Sequence, residues 1–305
     1  MVSNDRLEVA AGLPVLVTAR DGVQLHVVDQ SPTRAETAGA SGSEPAPEVV
    51  LWLQGLNAPA SAWGVQLAHF ARTHRSIAPD ARGVGKSGAP PGPYTTRQLA
   101  EDAVAVLDAC GVARAHVVGL SLGGAAAQEL AIGFPERVRS VALLSTFPGE
   151  SPRGRALLEG WRVLYPLAAQ SPALREAWEK QAYAWLFTES FWQSEASVRA
   201  ALRFAASQPQ QTVQGFVGQV DAALAHDTRA RLSQISAPTL VIHGVLDQLA
   251  PLAGAEELAR LIPDADLLAL AGVGHAVNLE AQRQVHAALR SLWARASGLS
   301  LNAST

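Results

Sequence analysis

The 305-residue chain holds one cysteine, Cys110, one methionine and two lysines, Lys86 and Lys180. A single cysteine excludes an intrachain disulfide and a cysteine-rich metal site. It closes an Ala/Val/Leu helical pattern, where a small buried side chain is ordinary, so a reactive thiol is not expected. Two lysines leave Schiff-base chemistry one candidate in a Gly-rich turn and one in a charged helical stretch. Charged residues make up 17% and the net charge is −3, so there is no basic footprint for a phosphate backbone and nucleic-acid binding is not expected. No run of about 18 uncharged apolar residues is available to span a membrane. The segment Met1 to Asp5 lacks the basic-then-apolar pattern of a secretory leader, so the expected compartment is the cytoplasm.

What the chain does have is apolar residues, 48% of the total, and a mean hydropathy of +0.11. A chain of about 300 residues buries ~75% of its unfolded surface, enough for a large core without metal or disulfide. Residues 14–30 alternate through Val15, Val17, Val23, Leu25 and Val27 around Arg20-Asp21-Gly22, which predicts a hairpin. The aperiodic stretch 31–47, rich in Ser, Ala, Gly, Pro and Glu, predicts a flexible loop. Short apolar runs then follow at 49–53, 76–79, 115–118, 138–144, 239–242 and 266–270. Helical patterns separate them at about 62–73, 96–110, 122–134, 253–261 and 279–296. Alternation of this kind predicts an α/β fold with a mainly parallel sheet flanked by helices.

Between Phe147 and Leu232 the alternation stops, and about 85 residues show helical periodicity without a convincing strand. The expected organisation is a core made of 1–147 and 233–305, interrupted by a helical cap at 148–232. Four of the seven tryptophans fall in that cap.

The sharpest chemical signal is Gly119-Leu120-Ser121-Leu122-Gly123-Gly124, placed between an apolar run and an Ala-rich helix. A G-x-S-x-G turn from strand to helix is so tight that side chains at its glycine positions would strike backbone, and it presents the serine hydroxyl at the strand end. A serine needs a base, and the base needs an orienting acid. Of eight histidines, His275 stands in a Gly-flanked loop just past the run 266–270, and Asp247 stands in the turn after 239–242. The chain order Ser121, Asp247, His275 is that of an α/β-hydrolase triad. Asp264 and Asp266 precede a strand, at the wrong sheet edge, and Glu150 is a weaker alternative acid. The backbone N–H groups of Leu122 and of Leu56, in the turn Gln54-Gly55-Leu56-Asn57, are the expected oxyanion donors.

With these residues the chain resembles the α/β-hydrolase fold superfamily over nearly its whole length. Asp80-Ala81-Arg82-Gly83-Val84-Gly85-Lys86-Ser87 is similar to that family's D-x-R-G-x-G-x-S turn. His226-Asp227-Thr228, Ala237-Pro238-Thr239-Leu240 and Glu280 resemble its small esterase and enol-lactone hydrolase branch. One departure is Gln54-Gly55, where such proteins commonly carry His-Gly. The turn 83–88 also matches G-x-G-x-x-G, but a Pro-rich stretch follows where a dinucleotide fold needs a helix, so no cofactor is expected. No metal is expected either.

The resulting expectation is a serine-dependent carboxylic-ester hydrolase acting on a small-molecule, fairly apolar substrate. Gln54, Asn57, Phe147, Trp185 and Val277 are the candidate substrate contacts. A lactonase or C–C bond hydrolase would use the same triad. Acyl transfer, perhydrolysis and a non-catalytic ligand receptor stand further off.

Overall fold

A computed structural model describes residues 14–32 and 46–298. The strands are β1 (Pro14–Thr18), β2 (Gln24–Gln30), β3 (Val49–Leu53), β4 (Arg75–Pro79), β5 (Ala115–Leu120), β6 (Val138–Leu144), β7 (Thr239–Gly244) and β8 (Ala265–Leu270). They form one sheet in the order β1-β2-β4-β3-β5-β6-β7-β8. β2 runs antiparallel to β1 and β4, and every pairing from β4 through β8 is parallel. The β1–β2 hairpin closes where expected, with Gly22 at φ 87° and its N–H donating to Ala19 O at 2.9 Å. The expected loop at 31–47 lies mostly outside the described residues.

The helices are α1 (Gly64–Phe70), α2 (Thr96–Ala109), α3 (Leu122–Gly133), α4 (Pro152–Ala168), α5 (Pro172–Leu186), α6 (Glu189–Trp192), α7 (Glu195–Ser207), α8 (Val213–Ala225), α9 (Leu252–Leu261), α10 (Val277–Glu280) and α11 (Gln282–Ala296). Five of them, α4 to α8, occupy the chain between β6 and β7. Four of these five start on a hydroxyl cap: Ser151, Ser171, Ser194 and Thr212 each accept from the backbone N–H three residues on. In α4 and α5 a proline follows the cap, where its missing N–H costs nothing.

Two helical expectations are corrected. The stretch 279–296 is broken at Ala281, at φ −127°, because Glu280 is held by two other segments. The 62–73 pattern is a short 3-10 turn at Ala60–Trp63 followed by α1, which ends at Phe70.

Alternate strand residues feed two apolar layers. Leu51, Leu53, Val117, Val141 and Leu143 pack under α2, α3 and α9, while Val50, Trp52, Val118, Ala142 and Leu144 pack under α1 and α11. Period-two patterning with both faces covered is what makes β3 to β7 read as continuous apolar runs. Among the described residues, no helix is long and apolar enough to cross a membrane.

Candidate active site

Ser121 occupies the turn between β5 and α3 with φ 53° and ψ −118°, a region that non-glycine residues rarely adopt. The strained turn is held at both ends: Ser121 N–H donates to Leu144 O at 2.9 Å, and Ser121 O accepts from Ala125 N–H and from Thr146 Oγ1. The flanking glycines are required by space. A Cβ on Gly119 would lie 2.7 Å from Gly124 Cα, one on Gly123 2.5 Å from the Leu53 carbonyl carbon, and one on Gly124 2.6 Å from Thr146 Cβ. The chain therefore brings α3 against the end of β3 and sets the serine at the head of the helix.

The turn Gln54-Gly55-Leu56-Asn57 lies directly against it, since a Cβ on Gly55 would be 3.2 Å from Ser121 Cβ. Asn57 takes φ 60°, and its N–H donates to Gln219 Oε1 at 3.1 Å. Gln54 does not reach outward; its Oε1 accepts from the adjacent Gly55 N–H at 2.8 Å. Among the described residues, the backbone N–H groups of Leu56 and Leu122 have no acceptor, and both residues line the cavity in front of Ser121. The D-x-R-G-x-G-x-S turn braces this region from behind. Asp80 accepts from Ala60 N–H at 2.7 Å and Lys86 N–H at 2.9 Å, and Arg82 is held by Asp102 in a two-pronged pair at 2.6 Å.

Beyond β7 and β8 two loops meet. His275 Nδ1 is 2.7 Å from Asp247 Oδ2, and both side chains are buried. Asp247 Oδ1 accepts from Leu249 and Ala250 N–H, each at 2.9 Å, which holds the carboxylate in place beside the imidazole. The two loops are stitched together by Val245 N–H to Leu270 O and Leu246 N–H to Val273 O. Glu280 ties the His275 loop to α6, accepting from Gly274 N–H at 2.7 Å and from the Thr188 hydroxyl at 2.6 Å. Ser121 and His275 line one cavity, but no hydrogen bond joins Ser121 Oγ to His275 in this structure. Such bonds are often long before substrate arrives.

The cavity encloses about 1840 Å³. Its floor is the strand ends and its far wall is α4 to α8, with Trp161, Trp178, Tyr183, Phe187, Phe191 and Phe216 among the lining residues. Gln54, Asn57 and Phe147 line it, as do Leu56 and Leu122. Trp185 and Val277 do not. Trp185 lies under the Arg153 guanidinium, 5.1 Å from the ring centre, and Val277 is fully buried in the layer beneath α11. Trp178, Trp185 and Trp192 recur every seven residues, a spacing that would put them on one face of a continuous helix; Trp178 and Trp185 do share α5, but the chain turns extended at Phe187 and Trp192 belongs to α6.

Among the rejected acids, Asp266 and Asp264 sit at the start of β8 against Arg295, at 2.7 and 3.6 Å. Glu150 lines the cavity without any hydrogen bond among the described residues. Burial pushes its carboxyl up to about 7, with Arg155 opposing. Nothing in the sequence marks Gln219, Tyr183, Phe191 or Phe216 as site residues, because only tertiary contact brings them there; Glu280, noted only for the family resemblance, gains its place in the same way. Among the described residues, no group of three or more His, Cys, Asp or Glu side chains is placed to hold a metal ion.

Comparison with known proteins agrees with this architecture. A Caulobacter segnis protein provisionally named carbamate hydrolase RutD is 31% identical over 238 residues, covering 75% of this chain and 84% of that one. The 3-oxoadipate enol-lactonase 2 of Acinetobacter baylyi is 31% identical over 250 residues, covering 81% and 88%. The crystal structure of the enol-lactonase from Burkholderia xenovorans superposes with a TM-score of 0.77 at 26% identity, covering 92% of this chain and 99% of that one. Residues 48–282 match the family profile described as alpha/beta hydrolase fold, and the chain belongs to that family.

Proposed function

We propose that the chain is a serine-dependent carboxylic-ester hydrolase that works through an acyl-enzyme. The observation that carries this reading is Ser121, strained at the head of α3 and facing the same cavity as His275, whose Nδ1 is held by buried Asp247 at 2.7 Å. In the proposed mechanism Ser121 Oγ attacks the ester carbonyl while His275 Nε2 takes the proton. Asp247 orients the ring and stabilises the imidazolium. The Leu56 and Leu122 N–H groups receive the oxyanion. His275 returns the proton to the leaving alcohol, and a water, activated by the same base, then frees the acid.

Residues 148–232 act in this reading as a cap on a core formed by 1–147 and 233–305. The aromatic wall supports an apolar acyl or alcohol group. The volume exceeds the roughly 300–1,000 Å³ of common small-ligand sites, leaving room beyond a short ester. A lactone substrate is the second reading, favoured by the 31% identity to the Acinetobacter enol-lactonase.

The test is a panel of 4-nitrophenyl esters of graded acyl length run beside small lactones, with Ser121→Ala as control. Ester turnover that falls by roughly 10⁵- to 10⁶-fold in the variant is expected. Hydrolysis of lactones alone would select the second reading, and near-normal turnover by Ser121→Ala would overturn both.

A further inference from the structure

His243 is the last residue but one of β7, fully buried, and has no part in the proposed bond-making steps. Its Nε2 lies 2.8 Å from Ala250 O and 3.3 Å from Asp247 Oδ2, while its Nδ1 is buried without a partner among the described residues. Two oxygens facing Nε2 require the ring proton there, since a carbonyl and a carboxylate can only accept. Burial holds the His243 pKa below the ordinary imidazole value. Asp247 and the Ala250 carbonyl oppose this, and His275 adds to it. The ring is thus a neutral donor with a defined tautomer.

The placement has two effects. The bond to Ala250 O closes the turn that runs from Asp247 to Ala250, the same turn whose N–H groups grip Asp247 Oδ1. The positive N–H edge also sits beside Asp247 Oδ2, the oxygen that receives His275 Nδ1.

We propose that His243 is a positioning residue that locks the Asp247 carboxylate against His275 and tempers its pull on the imidazole proton. This rests on the triad assignment above. Without the His243 N–H, Asp247 gains freedom and concentrates more negative charge on His275, favouring the imidazolium.

The experiment compares His243→Phe with His243→Gln, whose amide N–H can reach the Ala250 carbonyl. His243→Phe should lower kcat by roughly 10-fold with little change in KM, and should move the acid limb of kcat/KM to higher pH by about half a unit or more. His243→Gln should restore most of both. The low-field proton resonance of the His275–Asp247 pair gives a readout independent of turnover: it should shift in His243→Phe and return in His243→Gln. If His243→Phe does not fold, His243→Asn, with its amide placed toward Nδ1, takes its place against His243→Gln. A pH profile and resonance unchanged by the loss of the donor, or equally disturbed by both substitutions, would overturn the proposal. Ser121-independent turnover would instead overturn the triad reading, while the resonance would still report on His243.

Discussion

Glu150→Gln offers a direct measurement of what the cavity costs the folded chain. The carboxyl lines the cavity, forms no hydrogen bond among the described residues, and is pushed up to about 7 from an ordinary 4.5 by burial. A raised carboxyl pKa means that the folded state holds the proton more tightly than the unfolded chain. The associated stability is fully present below pH 4.5 and is lost as pH rises through about 7. Full loss corresponds to at most ~3.4 kcal/mol, and the part-exposed position reduces this to about 2 kcal/mol. Glutamine is uncharged at every pH and nearly isosteric, so it removes the titration while keeping the shape. Urea unfolding of both proteins at pH 5 and pH 8 should therefore show the variant gaining about 1.5 kcal/mol relative to wild type between those two values, since part of the loss already occurs between pH 4.5 and 5. A wild-type-minus-variant difference that stays constant from pH 5 to pH 8 would refute the burial argument.

Gly123→Ala should destabilise the fold by about 3 kcal/mol or more and abolish turnover, because the new Cβ meets the Leu53 and Gln54 backbone at 2.5–2.6 Å and must displace the turn beside Ser121. Gly160→Ala, with nothing within 4 Å of its Cβ in α4, should be neutral or stabilising by up to about 1 kcal/mol; equal unfolding midpoints for the two variants would refute the packing argument. His116, His226 and His286 are each held down to about 4, chiefly by burial. Their stabilisation is complete above the ordinary 6.5 and is lost as pH falls toward 4, so melting temperature should drop across that window. His226→Gln should flatten the drop, and an unchanged slope in that variant would refute its contribution.

Much of the frame is legible in the sequence for a local reason: strands buried on both faces, β3 to β7, read as apolar runs, and each of the six runs after the hairpin, the partly exposed edge strand β8 included, coincides with a strand to within a residue or two. Ser121 is legible because its turn excludes side chains at Gly119 and Gly123, so steric need leaves a pattern in the letters. Asp247 and His275 stand out because each follows a strand end. The supports are not legible, since they are contacts between distant segments: Glu280 meets Thr188 across 92 positions, and Gln219 meets Asn57 across 162. Nothing local distinguishes Gln219 from a surface residue of its type, and Glu280 stands out only through the family resemblance. The seven-residue spacing of Trp178 and Trp185 suggests a shared helical face but not where the helix stops, nor that Trp185 packs under Arg153 rather than lining the cavity.

Gln219 belongs to α8, outside the strands that carry Ser121, Asp247 and His275, yet its amide holds the Asn57 N–H and donates to Arg82 O at 3.0 Å. The segment that walls the cavity is therefore also a girder of the turn 54–57, the proposed oxyanion site. Under the proposed function, grafting a different set of helices between β6 and β7 to alter substrate range would cut that girder and should lower rate as well as change preference. A replacement segment has to bring its own acceptor for Asn57.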